Sequence, residues 1–228
     1  MISFKAFRAI DNPENCQQFI EGHRRVLEGF NLTNISTNKP TWPKNPNIYV
    51  ITAKSDNSEH LLGGIRIQIA DGINPLPVED AVGHFDKNIF NMVKQYSDNG
   101  GTCELCGLWN SREEAPNMGI TFLLVIAGMS IVNQLPVTSM FTIVAAYTLR
   151  MATRIGFQVE TSLGNDGTFI YPNSNYVARV LSQNPHLLTT AAAEVKASVM
   201  DLRNNPVHIR KEKVPKGEVE ISYDLIIR

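Results

Sequence analysis

Two hydrophobic rhythms run through the chain. In MISFKAFRAI (1–10) apolar and polar positions alternate, the period of a half-buried strand. From Asp11 or Asn12, followed by Pro13 and Glu14, the rhythm changes. Phe19, Ile20, Val26, Leu27 and Phe30 fall on one helical face behind a good helix start. Residues 31–47 form a polar, proline-rich loop around Trp42, long enough to be functional. IYVITAK (48–54) and LLGGIRIQIA (61–70) read as strands joined by a turn, hence a hairpin. After a second turn, 81–98 is partly helical, and CELCGLW (103–109) is a third strand.

A polar loop then leads into a long apolar helix, about Gly119 to Gln134. TSMFTIVAA (138–146) reads as a buried strand. YTLRMATRI (147–155) reads as a helix stopped by Gly156, a residue that suits helix ends. FQVE is a short strand, and GTFIYPNSNYVARVLSQNP reads as a strand leading into a helical turn. Residues 187–203 carry an alanine-rich helix, and VEISYDLII (219–227) a last strand. Antiparallel and crossover connections together predict an α+β fold with helices on a mixed sheet. No repeat or domain boundary shows. A single domain over 1–228 is expected, with 161–228 as a C-terminal extension.

Composition narrows the function classes. Among 228 residues, 19% are charged and the net charge is −1, which gives no general reason to expect nucleic acid. HIRKEKVPK (208–216) reads as a solvated loop, with a local basic patch as the alternative. Three cysteines, an odd number, argue against a secreted disulfide framework. The N-terminus lacks an apolar signal core. The longest apolar stretch, 118–132, falls short of the ~20 residues that span a bilayer. No membrane span and a cytoplasmic location are therefore expected.

GLWNSREEAPNMGITFLL (107–124) is the first candidate site. A helix start leaves backbone N–H groups unpaired and carries partial positive charge, so it suits phosphate. Gly119 allows close approach. A plain strand-to-helix corner is the other reading. Strand parity gives a second candidate. Gly64, Arg66 and Gln68 share one face, and Glu104 shares a face with Cys106 and Leu108. On antiparallel neighbours, Arg66 and Glu104 could meet. They would form either a structural ion pair or a carboxylate base beside an arginine, its pKa lowered, suited to anchoring an amine.

Other residues read more blandly. Cys103 and Cys106 lack the further ligands that zinc needs, and they read as buried small side chains. His23, His60, His84, His186 and His208 read as surface or loop. Trp42 either closes over a substrate or caps the core. Arg24 and Arg25 lie opposite an apolar helix face, where solvent contact is the default.

The order strand, loop, helix, strand and a helix closing on RIGFQVE resembles the GNAT acyltransferase superfamily over about residues 48–160. Gly156-Phe157 matches the Gly-Phe pair that commonly ends the family's helix. Gly119 matches the glycine of its Arg/Gln-x-x-Gly-x-Gly/Ala loop, with Pro116 at the basic position and Thr121 at the last. Ala152 stands where the family has the tyrosine that protonates the leaving thiolate. LLGGIRIQIADGINPLP, CELCGLW, GHRRVLEGF and Trp42 further resemble acyl-homoserine-lactone (autoinducer) synthases and N-acyl amino acid synthases. Gly107 replaces the arginine of their Glu-x-x-Arg, which points away from homoserine-lactone synthesis and towards a relative with another acceptor.

The resemblance implies a GNAT-like, mostly antiparallel sheet flanked by helices. It also implies acyl transfer from coenzyme A or acyl carrier protein to a small amine, without a metal. Glu104 and Arg66 would be catalytic, with Glu104 or a water as base. Backbone N–H groups of 114–120 would hold the pyrophosphate. Leu108, Trp109, Asn110, Arg112, Asn117, Met118, Gly119 and Ile120 would line the donor site, with N–H groups near Leu108 and Trp109 polarising the thioester. Trp42 and Arg24 would contact substrate, and Arg24 with Arg25 could meet the acyl carrier. Arg112 would touch either a 3′-phosphate or water. The strands 103–109 and 138–146 would splay to admit the pantetheine arm. The alternative is a non-catalytic protein on the same fold that binds an acyl ligand or a partner.

Overall fold

A computed structural model describes residues 1–32, 35–111, 113, 115, 118–215 and 217–228, with Asn38 described by its backbone only. Strand β1 (Ile2–Arg8) alternates as its sequence predicts. Asn12 then caps helix α1 (Pro13–Glu28), its side-chain oxygen accepting from the Asn15 N–H at 3.2 Å. The helix buries Cys16, Phe19, His23 and Leu27, spaced to lie along one face. Strands β2 (Ile48–Ser55) and β3 (Leu61–Ile69) form the expected hairpin. Helices α2 (Pro77–Val82) and α3 (Asn88–Asp98) precede β4 (Thr102–Asn110).

Helix α4 (Ile120–Ile131) is apolar nearly all round and buries ten of its residues, because it is sandwiched between the sheet and a second helix. Beyond it come β5 (Ser139–Ala145), α5 (Leu149–Ile155), β6 (Gln158–Val159) and β7 (Thr168–Ile170). Strand β8 (Val177–Gln183), α6 (Ala193–Asn204), β9 (Val207–Val214) and β10 (Gly217–Asp224) complete the chain. The ten strands form one sheet in the order β6-β8-β5-β4-β3-β2-β1-β10-β9, with β7 also on β8. Most pairs are antiparallel; β1–β10 and β4–β5 are parallel. Helices α4, α5 and α6 share one core with Ile65, Ile67 and Leu105. Helix α1 packs on the other face around Phe19 and Trp109, and α2 and α3 pack around Phe141 and Val180.

Two stretches differ from the sequence reading. Residues 177–183 are not a helical turn but a strand held between β5 on one side and β6 and β7 on the other. Pairing along both edges overrides the helix preference of its Ala, Leu and Arg residues. Residues 207–214 are not a solvated loop but the outermost strand, paired with β10 over eight positions. Its charged residues hid the alternation, and charge is what an edge strand carries to discourage further pairing. Arg210 bonds Asp201 of α6 at 2.6 Å and also reaches Glu212, which accepts from the Tyr223 hydroxyl at 2.6 Å. The β9–β10 hairpin is thereby fixed to α6.

Among the described residues no helix is long and apolar enough to cross a membrane.

Candidate functional site

Strands β4 and β5 pair only from Thr102 to Glu104, against Ser139 to Phe141. One further bridge, from Thr142 Oγ1 to the Leu105 carbonyl at 3.0 Å, spans the start of the gap. Beyond it β5 follows β8, and β4 bends with a bulge: Gly107 and Leu108 together stand opposite Ile65 of β3. Gly107 has φ +61°, a conformation that glycine adopts without cost. The wedge so formed opens a cavity of about 350 Å³ that reaches both faces of the sheet. On one face it is walled by Val125, Met151, Ala152 and Ile155. On the other it meets His23, Leu27, Phe30, Thr37 and Tyr171. The Tyr171 hydroxyl donates to Ser36 Oγ at 3.1 Å, which ties the loop after α1 to the loop before β8 across the cavity mouth.

Arg66 and Glu104 lie on the α1 side. Gln68 is opposite Glu104 and Arg66 is opposite Cys106, so the two share a face one pair apart. Arg66 is 2% exposed and lies over the Trp42 ring, 4.8 Å from its centroid. Its Nη2 donates to the Thr37 carbonyl at 3.2 Å, while Nε and Nη1 have no partner among the described residues. An added Cβ at Gly107 would sit 3.2 Å from Arg66 Nε. The guanidinium therefore arrives from β3 and fills space that a side chain at 107 would need.

Glu104 is 0% exposed and lines the cavity. One carboxyl oxygen accepts from the Val78 N–H at 2.6 Å; the other has no partner among the described residues. Burial pushes this carboxyl up to about 8, although the Val78 N–H and Arg66 pull the other way. The expected lowering by Arg66 is thus reversed. The two groups make no direct hydrogen bond, so desolvation of the carboxylate outweighs the arginine's field.

His23 is also corrected. It is buried on the α1 face and lines the cavity, and burial, aided by Arg66, pushes its imidazole down to about 3. At neutral pH it is an uncharged ring. Cys106 lines the cavity too, but burial pushes its thiol up to about 12, which leaves little thiolate. Position 23 could have been found by extending the Phe19–Leu27 helical face. Thr37 and Tyr171 come from loops and had no such signal.

The remaining candidates are spread around the wedge. Leu108, Trp109 and Asn110 line the cavity. Asn110 Oδ1 accepts from Thr121 Oγ1 at 2.8 Å, joining the end of β4 to the first turn of α4. Gly119, at φ +71°, is the residue that precedes that turn; Ile120 is core, so only its backbone could meet a ligand, and Met118 is half-buried. A Cβ at Gly119 would lie 2.6 Å from Pro215 Cδ, so the β9–β10 hairpin tip rests against the start of α4. Arg112 and Asn117 lie outside the described residues, as do 114 and 116. Trp42 is buried edge-on to Phe19, with ring centroids 5.5 Å apart, and caps the core over Arg66. Arg24 is exposed, pairs with Glu28 at 3.1 Å, and is not in the cavity wall. Among the described residues no group of three or more His, Cys, Asp or Glu could hold a metal ion.

A mixed, largely antiparallel sheet opened between two parallel strands, with a buried helix starting at the opening, is the GNAT acyltransferase fold. Solved structures share that fold. It is similar to FeeM, an N-acyl amino acid synthase from uncultured soil microbes, with TM-score 0.66 and 12% identity, over 86% of this chain and 97% of that one. It is also similar to BjaI, a CoA-dependent acyl-homoserine lactone synthase solved with SAM and isopentyl-CoA. There the TM-score is 0.53 and the identity 12%, over 90% of this chain and 89% of that one. Arabidopsis thaliana NAA60, in complex with a bisubstrate analogue, gives TM-score 0.52 and 15% identity, over 81% of this chain and 98% of that one. At such identities the likeness is one of fold. No protein-family model matches the chain, and no curated protein matches it in sequence.

Proposed function

We propose that the protein is an acyltransferase that moves an acyl group from a thioester of coenzyme A or acyl carrier protein to a small amine. The observation that carries this reading is the open wedge between β4 and β5, with the buried, half-satisfied carboxyl of Glu104 in its wall. FeeM and BjaI, which share the fold, are by name a synthase of N-acyl amino acids and a CoA-dependent acyl-homoserine lactone synthase.

In this reading the thioester arm lies in the wedge, and its phosphates meet N–H groups at the start of α4. Backbone N–H groups near Leu108 and Trp109 polarise the thioester carbonyl. The amine nitrogen attacks the carbonyl carbon, forming the C–N bond. Its proton passes to ionised Glu104, the C–S bond breaks, and the departing thiolate takes up one proton. Amide and thiol are the products. The domain spans 1–228, with 161–228 as an extension that supplies the hairpin beside Gly119.

A non-catalytic acyl-ligand binder is the rival, favoured by Ala152 in place of an acid and by Pro215 against the start of α4. The test is thermal shift with acetyl-CoA, longer acyl-CoA and acyl carrier protein, followed by thiol release on addition of amines. A catalyst is stabilised by a donor and then releases thiol. Stabilisation without release, for every amine tried, supports the binder.

A further inference from the structure

The charges around the cavity are few, and they are one-sided. Among the described residues its wall holds a single carboxyl, Glu104, and no lysine or arginine. Behind the wall lies Arg66, a buried and permanent cation. It meets the Thr37 carbonyl at 3.2 Å, the Trp42 ring at 4.8 Å and the Cys106 side chain, none of which is an anion. His23 on the same side is an uncharged ring, and the phenols of Tyr147, Tyr171 and Tyr176 are neutral near pH 7. Glu79 and Asp80 on α2 lie outside the wall. Glu79 accepts from the Leu76 N–H at 2.7 Å, and Asp80 pairs with Lys39 at 2.5 Å. In neither state of Glu104 does the cavity have negative charge left over. Ionised, the carboxylate only offsets Arg66. Protonated, it leaves the arginine's charge uncovered, and burial favours that state. An ammonium entering so dry a place would have to share one carboxylate with a cation already there.

We infer that the acceptor is an arylamine, an amine that is uncharged when it binds, its ring against Leu27, Phe30 and Tyr171 and its N–H on the free oxygen of Glu104. The inference rests on the acyl-transfer reading for the fate of the amine. An aliphatic amine, like a lysine side chain, is an ammonium ion at neutral pH. In an arylamine the ring draws in the nitrogen lone pair, so the free base is the form in solution. It brings no charge to the site and an apolar body to an apolar wall. In the transfer the ring-bound nitrogen attacks the thioester carbon, and the C–N bond forms. Ionised Glu104 takes one N–H proton, the C–S bond breaks, and the same carboxyl passes that proton to the departing sulfur. Anilide and thiol are the products, and Glu104 is ionised again. Its double part suits a cavity where Ala152 offers no acid.

The experiment compares para-toluidine with benzylamine, isomers that differ in whether nitrogen sits on the ring or one carbon away, with phenylalanine as a third acceptor. Each is measured at pH 7 by calorimetric binding without donor and by thiol release with a series of acyl-CoA donors. The expected result is tighter binding of para-toluidine and a kcat/KM more than about tenfold above that of benzylamine, which must shed a proton to enter. Arg66→Gln removes the cation and narrows the gap, whereas Arg66→Lys keeps it. A gap undiminished in Arg66→Gln overturns the inference, and if that variant does not fold the isomer comparison on the unaltered protein decides. Equal use of the isomers, or preference for benzylamine or phenylalanine, overturns the inference and leaves acyl transfer standing. Preferential binding of para-toluidine without thiol release from any donor upholds the site and removes the transferase reading. Absence of binding and release for all three overturns both.

Discussion

Glu104 and Arg66 occupy the same face of neighbouring strands, displaced by one pair, with Gln68 and Cys106 as their direct opposites. That displacement leaves each with atoms that have no partner among the described residues, Oε1 on one and Nε and Nη1 on the other. A direct pair would have quenched both charges. The offset keeps a carboxyl and a cation apart, on the side of the wedge where helix α1 closes the cavity.

If Glu104 takes the proton from the acceptor, the rate rises with pH as the carboxyl ionises, levelling above about 8. Glu104→Gln is expected to lower kcat by about a hundredfold or more and to remove that inflection. A pH profile of kcat/KM for both proteins, with one donor and one acceptor, is the measurement. An unchanged inflection in the variant rejects Glu104 as the base.

Two buried groups shape stability in opposite directions. Glu104 is raised from 4.5 to about 8, so the folded protein keeps a proton that the unfolded chain releases. Its contribution is full below 4.5 and is lost as pH rises through about 8. His23 is lowered from 6.5 to about 3, so the unfolded chain binds a proton that the folded one refuses. Its contribution is full above 6.5 and is lost as pH falls towards about 3. The two slopes oppose between 4.5 and 6.5, and above 6.5 the Glu104 slope acts alone. Thermal melts across pH should show a decline above 6.5 that Glu104→Gln flattens.

Gly119→Ala tests the start of α4. The φ of +71° and the Pro215 ring 2.6 Å from the new Cβ both oppose it. A loss of about 1–2 kcal/mol is expected, seen as a lower denaturation midpoint. Donor affinity should fall more than acceptor affinity, which titration calorimetry can separate.

Ala152→Phe fills the wedge from α5. Ala152 is buried in the cavity wall next to Met151 and Ile155. Long acyl donors should lose more kcat/KM than acetyl-CoA does, by competition assay with donors of increasing length. An equal loss for all donors would place Ala152 away from the acyl group.

Gly22→Ala tests how closely α1 must approach the sheet. A Cβ there would sit 2.1 Å from the Trp109 ring, too close for a small shift to relieve. Alanine normally favours a helix, but overpacking should prevail and cost about 1–3 kcal/mol. Chemical denaturation decides the sign.

The sequence carried the parts of the fold that depend on local rhythm. Asn12-Pro13 announced α1, the turn after Ser55 announced the β2–β3 hairpin, and Gly156 marked the end of α5 at φ +111°. It failed at Val177–Gln183 and Val207–Val214, where strand identity comes from partners far along the chain. The site was legible by the same rule. Strand parity put Arg66 and Glu104 on one face, but it could not show the register that offsets them, or the bulge at Gly107 and Leu108 next to Arg66. Nor could it weigh burial against charge, which is why the direction of the Glu104 shift came out opposite.

The parallel pairing of β1 with β10 joins segments some two hundred positions apart in the sequence. During synthesis the first strand leaves the ribosome long before β10 exists, so the edge of β1 away from β2 stays bare until residues 217–224 have emerged. The hairpin tip beside Gly119 comes from that same late segment. Docking of the β9–β10 hairpin therefore covers the free edge of β1 and sets the hairpin tip against the start of α4 in one event, and a chain stopped short of β10 is expected to keep that edge exposed and to be held by chaperones.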